Sequence, residues 1–340
     1  MPVFVVGSPR SGTTLLYDML LSAGGFAVYP GESNIFNLLA PRFGSLARRH
    51  NRERMWGVWL GSKLCRASGI DPRRIEAKIL SDCRNAGDFL RTIMEEVARS
   101  QNALRWAGNT PEEILHIPII KATIPDALVI HIIRDGRDVA LSLAQRRFLR
   151  PFPWKDRESL FGAGLYWEWI VGKGRKYGRH LGSDYMEVRF EQLVAEPRDT
   201  LARLSSFLDH ELDYDRIQQV AFGSVGTPNT SFRAELAATF DPVGRWRKRF
   251  SPDQLVGLER LIGKTLADLS YPLVTARSKT LRMSGMRHCY RVFFEAKLWS
   301  KISKLIRPVR RELTSRQVDE IVMVDEHLTA SAARRLQPTA

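Results

Sequence analysis

Three observations predict an α/β fold with three layers built around a central parallel sheet. Short apolar runs of β type, Val3-Phe4-Val5-Val6 and Ala127-Leu128-Val129-Ile130-His131-Ile132-Ile133, are each followed by a glycine-containing turn. A segment with helical spacing of apolar residues comes after each turn. The second run does not alternate, as expected of a strand covered on both faces, and strand followed by helix recurs along the chain, the pattern of a parallel sheet.

The first 25 residues read as strand, tight turn and helix. Gly7-Ser8-Pro9-Arg10-Ser11-Gly12 is the turn, and Thr13 to Ala23 carries Leu15, Leu16, Met19 and Leu20 on one helical face. Phe26-Ala27-Val28-Tyr29 reads as a second strand ended by Pro30-Gly31, which completes the opening of a βαβ unit. Mixed helices follow from about Asn37 to Ser100, with Asp88 expected as the N-cap of FLRTIMEEVAR. After the long strand, Asp135-Gly136 turns the chain into a helix from Asp138 onward. Tyr185-Met186-Glu187-Val188-Arg189 is a further strand, and LARLSSFL is a helix. A boundary near Tyr271 to Lys279 divides residues 1–276 from a basic, helical C-terminal extension, 277–340. There Tyr290, Phe294, Leu298, Ile302, Leu305, Ile306 and Val309 approximate one face of a helix. A membrane-surface helix, a helix docked on the domain and a dimer contact all fit that face, and Arg334-Arg335 begins a frayed tail.

Composition narrows the class. With 44% hydrophobic and 26% charged residues, 24 Gly and 17 Pro in 340, the chain is not collagen-like, coiled-coil or mainly disordered. Cys65, Cys83 and Cys289 are far apart and in no metal-ligand spacing, so neither a disulfide framework nor a metal site is expected, and a reducing compartment fits best. The N-terminus lacks the basic and cleavage regions of a signal peptide, and no apolar stretch approaches the roughly 20 residues that span a bilayer. The expected location is cytoplasmic, or peripheral at the inner membrane surface. Lys plus Arg number 52 against 37 Asp plus Glu, a net +15, of which +8 falls in residues 277–340. An excess of that size implies an anionic partner: nucleic acid, a membrane surface or a phosphorylated ligand.

The loop between the first strand and helix identifies which. Gly7-Ser8-Pro9-Arg10-Ser11-Gly12-Thr13-Thr14 keeps the G-x4-G frame and following hydroxyl of a phosphate-binding loop, which makes the predicted fold P-loop NTPase-like, but Thr13 stands where the nucleotide hydrolases carry Lys. Backbone N–H groups, the helix N-terminus and the hydroxyls of Thr13 and Thr14 can donate to a phosphate or sulfate, with Arg10 as the loop cation. Phosphoryl transfer from ATP or GTP uses the missing Lys together with Mg²⁺, so a metal-independent anion donor is favoured over a nucleoside triphosphate. Arg134 lies at the carboxyl end of the long strand, where parallel sheets bind ligands, and Ser142 lies on the next helix. Together they would clamp a second phosphate; the alternative is a surface ion-pair set of Arg134, Asp135, Arg137 and Asp138.

Taken in order, these segments resemble the sulfotransferases that use 3′-phosphoadenosine 5′-phosphosulfate (PAPS), of the branch with bacterial carbohydrate-type and protein-tyrosine enzymes. VVGSPRSGTTLL is similar to that family's 5′-phosphosulfate loop and VIHIIRDGRDVALSL to its 3′-phosphate segment. VRFEQLVAEPRDTLARLSSFLD resembles the strand-helix element that follows, and VGRWRKRFSPDQL the C-terminal GRW motif. The resemblance implies that Arg10, Ser11, Gly12, Thr13 and Thr14 contact the 5′ group, that Arg134 and Ser142 hold the 3′ phosphate, and that Ser231 and Arg245 add donors. It also implies sulfuryl transfer to a hydroxyl or amine of a small-molecule or carbohydrate acceptor, with residues 36–106 forming the acceptor pocket.

Transfer needs a base for the acceptor proton. Glu32, in YPGESN after the second strand, matches the acidic residue that resembling enzymes use, with Arg10 as its catalytic partner on the leaving group. His50 and His116 are weaker alternatives, and His131 reads as a core residue inside a strand. Trp56 and Trp59 could stack on an acceptor, but spacing of this kind more often marks core. Two departures stand out. The family's cofactor-contacting Tyr is Phe190, and its Lys before Thr-Pro is Asn109, in Ala107-Gly108-Asn109-Thr110-Pro111. Losing one preorganised stabiliser costs about 3 kcal/mol unless replaced. The competing readings are a kinase of the same fold class, a PAPS-binding protein without turnover, and a nucleic-acid binder driven by the basic tail.

Overall fold

The computed structural model describes residues 1–145, 159–220, 241–275, 281–305, 313–322 and 324. Five strands form one parallel sheet: β1 (Val3–Gly7), β2 (Phe26–Ala27), β3 (Arg105–Gly108), β4 (Leu128–Ile133) and β5 (Tyr185–Arg189). Their order is β2-β3-β1-β4-β5, with Val3 beside Ala107 on one side and Leu128 on the other. The chain moves outward from β1 first toward β2 and later toward β5. The carboxyl ends of β1 and β4 therefore flank the point where strand order reverses, the place where open α/β sheets bind ligands.

Alternation of side chains along each strand explains the two continuous apolar runs. Val3 and Val5 face one core with Leu128, Ile130 and Ile132, while Phe4 and Val6 face the other with Val129 and Ile133. The first core lies under α1 (Thr13–Ala23). The second is covered by α2 (Arg49–Leu60), α3 (Ala86–Ser100), α4 (Gly136–Gln145) and α5 (Ser159–Gly178). α6 (Pro197–Leu208) joins α1 on the first face, and α7 (Pro252–Asp268) and α8 (Leu281–Lys304) build outward on the second. Among the described residues, no helix is long and apolar enough to cross a membrane.

Several boundaries differ from expectation for identifiable reasons. β2 stops at Ala27 because side chains take over its hydrogen bonding. Val28 exchanges bonds of 2.8 and 2.9 Å with the Gln101 amide, and Tyr29 exchanges bonds of 3.3 and 2.9 Å with the Tyr17 hydroxyl. α3 is capped by Asn85, whose Oδ1 accepts the Asp88 N–H at 2.9 Å. Asp88 is thus the third helical residue, and its carboxylate reaches back to the Arg84 N–H at 2.8 Å. α4 begins at Gly136, two residues early, because the Asp135 carboxylate accepts the Arg137 N–H at 2.9 Å. β3 and α5 complete the elements that hydropathy left unread.

In the C-terminal extension, Tyr290, Phe294 and Leu298 of α8 are buried and continuous with the second core, and Ile302 and Leu305 pack against it. That face of α8 is therefore turned into the protein. Beyond it, the segment Ser315–Ile321 packs on the helix Lys63–Ser68, where Asp319 accepts the Lys63 N–H at 2.6 Å and an Arg66 bond at 2.6 Å. Val324 then pairs antiparallel with Gly31.

Candidate functional site

The carboxyl ends of the five strands bring most of the predicted residues to one edge. From β1 comes the loop to Gly12, from β2 the Gly31-Glu32 turn, from β3 Asn109, from β4 Arg134, and from β5 Phe190. The loop is tightly wound: the Ser11 N–H donates to the Ser8 carbonyl at 3.1 Å, and both Arg10 and Gly12 are left-handed, with φ of 74° and 98°. Gly12 meets that requirement without cost; Arg10 adopts it against the usual preference of L-residues. A Cβ on Gly12 would also overlap the ring of Phe190. No side chain caps α1, so the first N–H groups of Thr13 and Thr14 lie outside the i to i−4 ladder. Thr13 is buried and Thr14 exposed, and the Ser11 hydroxyl is fully buried without a hydrogen-bond partner.

The second anion segment meets this loop directly. The Arg10 Nε donates to the Ser142 Oγ at 3.1 Å, and the Arg134 Nη1 donates to the Arg10 carbonyl at 3.1 Å. Arg134 also donates to the Pro242 carbonyl, and its guanidinium lies 4.3 Å above the centroid of the Phe190 ring. Its Nε is buried and has no partner. Burial lowers the pKa of Arg134, with Arg245 adding to the downward push and Asp138 and Glu191 opposing it. Arg245 thus stands within electrostatic reach of Arg134. Ser231 lies outside the described residues.

The remaining charges of RDGRD do not form the surface ion-pair set that was the alternative to a phosphate clamp. Arg137 is buried between Asp135, at 2.7 Å, and Glu259, at 2.6 Å, with its guanidinium 3.9 Å from the Trp246 ring centroid. Asp138 accepts the backbone N–H groups of Gly244 at 2.7 Å and Trp246 at 3.0 Å, which fixes the GRW segment beside α4. Glu191 accepts the Asp135 N–H at 2.8 Å and the Tyr271 hydroxyl at 2.9 Å. These carboxylates are spent on backbone and buried cations. Asp138, Glu191, Glu259 and Trp246 hold the site in place; only the first was quoted among charged alternatives, because their contacts are long-range.

A second polar group sits at the β2 and β3 ends. Glu32 has its pKa raised to about 7, first by burial and then by the charge of Glu112. Glu113 is fully buried and accepts a 3.1 Å hydrogen bond from the Ser33 hydroxyl; burial raises its pKa to about 8. Asn109 Oδ1 is buried and has no partner. The histidines fare differently. His50 is exposed on α2. His116 is buried, with its pKa lowered to about 4 by burial and then Lys301. His131 is a core residue whose Nδ1 lies 2.6 Å from the Tyr185 hydroxyl, its pKa lowered to about 3 by burial. Trp56 and Trp59 are buried and stacked with centroids 5.1 Å apart, so they serve the core of the 36–106 region.

Two partnerless buried donors, Ser11 Oγ and Arg134 Nε, together with an uncapped helix start, fit an anionic ligand. The family model described as "Sulfotransferase family" matches residues 2–214. A "Putative protein-tyrosine sulfotransferase" of Caenorhabditis briggsae is 25% identical over 61% of this chain and 65% of its own length. One of the same name from Caenorhabditis elegans is 29% identical over 34% of this chain and 45% of its own. The chain thus spans less than two thirds of these relatives. Among solved structures, the sulfotransferase domain of the Synechococcus PCC 7002 olefin synthase superposes with a TM-score of 0.50 at 18% identity, over 78% of this chain and 94% of that domain, a likeness of fold.

Proposed function

The chain belongs to the sulfotransferase family, and from that premise we propose that it transfers a sulfuryl group from PAPS to a hydroxyl or amine acceptor. The observation that carries this reading is the meeting of two anion-binding segments in one crevice, through Arg10 to Ser142 and Arg134 to the Arg10 carbonyl. A donor with a 5′ phosphosulfate and a separate 3′ phosphate needs both. Ser11, Thr13, Thr14 and the N–H groups at the start of α1 would hold the 5′ group, and Arg134, Ser142 and Arg245 the 3′ phosphate. The donor, when bound, supplies an electrophilic sulfur and a phosphate leaving group.

Glu32 takes the acceptor proton as the new bond to sulfur forms. Its pKa of about 7 suits a base that must be ionised near neutrality yet strong enough to accept a proton. Arg10, fixed by Ser142, offsets the charge that collects on the leaving phosphate as the bond from sulfur to its bridging oxygen breaks. Phe190 replaces a polar contact with a flat platform that holds Arg134 in place. Thr13 in the position of the hydrolase Lys weighs against a kinase. We extend the proposal to a cytoplasmic location, which suits the three free thiols, and to a body of residues 1–276 with 277–340 as an extension.

Calorimetric titration with adenosine 3′,5′-bisphosphate and with ATP plus Mg²⁺ tests the donor. Tight binding of the bisphosphate is expected; binding of ATP-Mg²⁺ alone overturns the reading. Labelled-sulfate transfer to an acceptor panel, repeated with Glu32→Gln, separates an enzyme from a binder without turnover, and turnover retained in Glu32→Gln removes that residue as the base.

A further inference from the structure

We propose that α8 of the C-terminal extension supplies one wall of the acceptor site, and that the acceptor is a small ring-bearing alcohol with an acidic group. This inference rests on the sulfotransferase reading and names the acceptor class for the same site.

A pocket opens between α5 and α8, enclosing about 640 Å³ when its mouth is counted. Tyr166 and Trp169 line it from α5, and Tyr290, Phe293 and Phe294 from α8. The walls are fixed by ring contacts. Phe294 meets Tyr166 and Trp169 at centroid distances of 5.3 Å each, and Tyr290 and Phe293 at 5.8 Å each. Gly162 of α5 admits the close approach of Tyr290, which a Cβ there would meet at 3.1 Å. Such a surface favours flat apolar ligands through offset and edge contacts.

The lining also carries charge. Lys297 is exposed, and Lys301, one helical turn on, lies 3.8 Å from the Glu112 carboxylate. Glu112 also accepts the Tyr166 hydroxyl, so one side of the pocket ends on a carboxylate that is already partnered twice. Glu112 follows Asn109 by three residues at the β3 edge, and its charge acts on Glu32. Glu113, next to Glu112, accepts the Ser33 hydroxyl at 3.1 Å, which puts the Glu112 side of the pocket beside the turn that carries Glu32. An acceptor with its acid group at Lys297 and its hydroxyl toward Glu112 uses both features. The chain after α8 returns to the same edge, where Val324 pairs with Gly31, the neighbour of Glu32. Neither α8 nor Val324 falls in the segment matched by the family model, which ends at 214.

The test uses the full chain and a fluorescent phenol with a carboxylate, hydroxynaphthoate, with naphthol and N-acetylglucosamine as comparisons. Saturable binding of hydroxynaphthoate is expected in the presence of adenosine 3′,5′-bisphosphate, at least about fivefold tighter than either comparison, a margin near 1 kcal/mol. Lys297→Glu, at an exposed position, and Ser159→Phe, which fills the mouth, should each weaken it by about fivefold or more while bisphosphate affinity stays unchanged. The pocket proposal is overturned when hydroxynaphthoate fails to bind to protein that binds the bisphosphate, when N-acetylglucosamine or naphthol binds as well, or when neither variant reaches that loss. Failure of the bisphosphate to bind, with hydroxynaphthoate binding intact and sensitive to both variants, instead removes the donor reading and leaves the pocket standing.

Discussion

The guanidinium of Arg134 lies 4.3 Å above the ring centroid of Phe190, and the edge of the same ring fills the space that a Cβ on Gly12 would occupy. One apolar side chain thus sets the height of both anion-binding segments. Phe190→Ala should cost about 3 kcal/mol of stability through the cavity it leaves, and should weaken adenosine 3′,5′-bisphosphate binding about tenfold through the loss of a cation-π contact and of loop position. Phe190→Tyr, which keeps the ring, should retain both. Chemical denaturation and calorimetry on the two variants check this.

Gly12→Ala places a side chain at φ of 98° and against the Phe190 ring. The left-handed conformation alone costs about 1 kcal/mol for a residue with a Cβ, which the fold should survive. The loop should not keep its winding. Bisphosphate binding is expected to fall below detection in calorimetry while the thermal midpoint drops only by a few degrees.

The pH dependence follows from two carboxyls, Glu32, half-buried, and Glu113, fully buried. With its pKa near 7, Glu32 is ionised above neutrality, so sulfuryl transfer should rise through pH 7 to a plateau. Stability runs the other way. Glu113 keeps its proton up to about pH 8 in the folded protein, whereas the unfolded chain releases it near the ordinary 4.5. Between those values the folded state binds more protons, and stability falls as pH rises through the window. Denaturant midpoints measured from pH 5 to 8 should decline, and Glu113→Gln should flatten the decline.

Asp138 accepts two backbone N–H groups of the GRW segment. Asp138→Ala should cost about 2 to 4 kcal/mol for two charge-assisted bonds lost from a buried site. It should also release Arg245 from its place near Arg134, seen as faster amide exchange at Gly244 and Trp246 and as weaker bisphosphate binding. Asp138→Asn should recover part of the loss.

Residues placed by local spacing were legible without coordinates. The loop from Gly7 to Thr14, Arg134 with Ser142, and Glu32 after the second strand all carry their geometry in local spacing. Roles made by packing between distant elements were not. Phe190 looked like a missing hydroxyl until its ring was seen between Gly12 and Arg134. β3, four residues beginning with Arg105, is too short and too charged at its start to announce itself, yet it brings Asn109 to the site edge. Trp56 and Trp59 of residues 36–106 are core; the aromatic pocket that joins α5 to α8 spans more than a hundred residues of sequence, which no local pattern announces.

The pairing of Gly31 with Val324 joins positions about 290 residues apart in a chain synthesised from its N-terminus. The phosphate loop and its helix can form early, from contacts that are mostly local, but the turn bearing Glu32 must wait for nearly all of the remaining chain before it is braced. A nascent chain stalled between α7 and α8 would therefore be expected to grip an anion before it could select an acceptor. Ribosome-bound intermediates of increasing length should gain bisphosphate binding first and hydroxynaphthoate binding only after α8 has emerged.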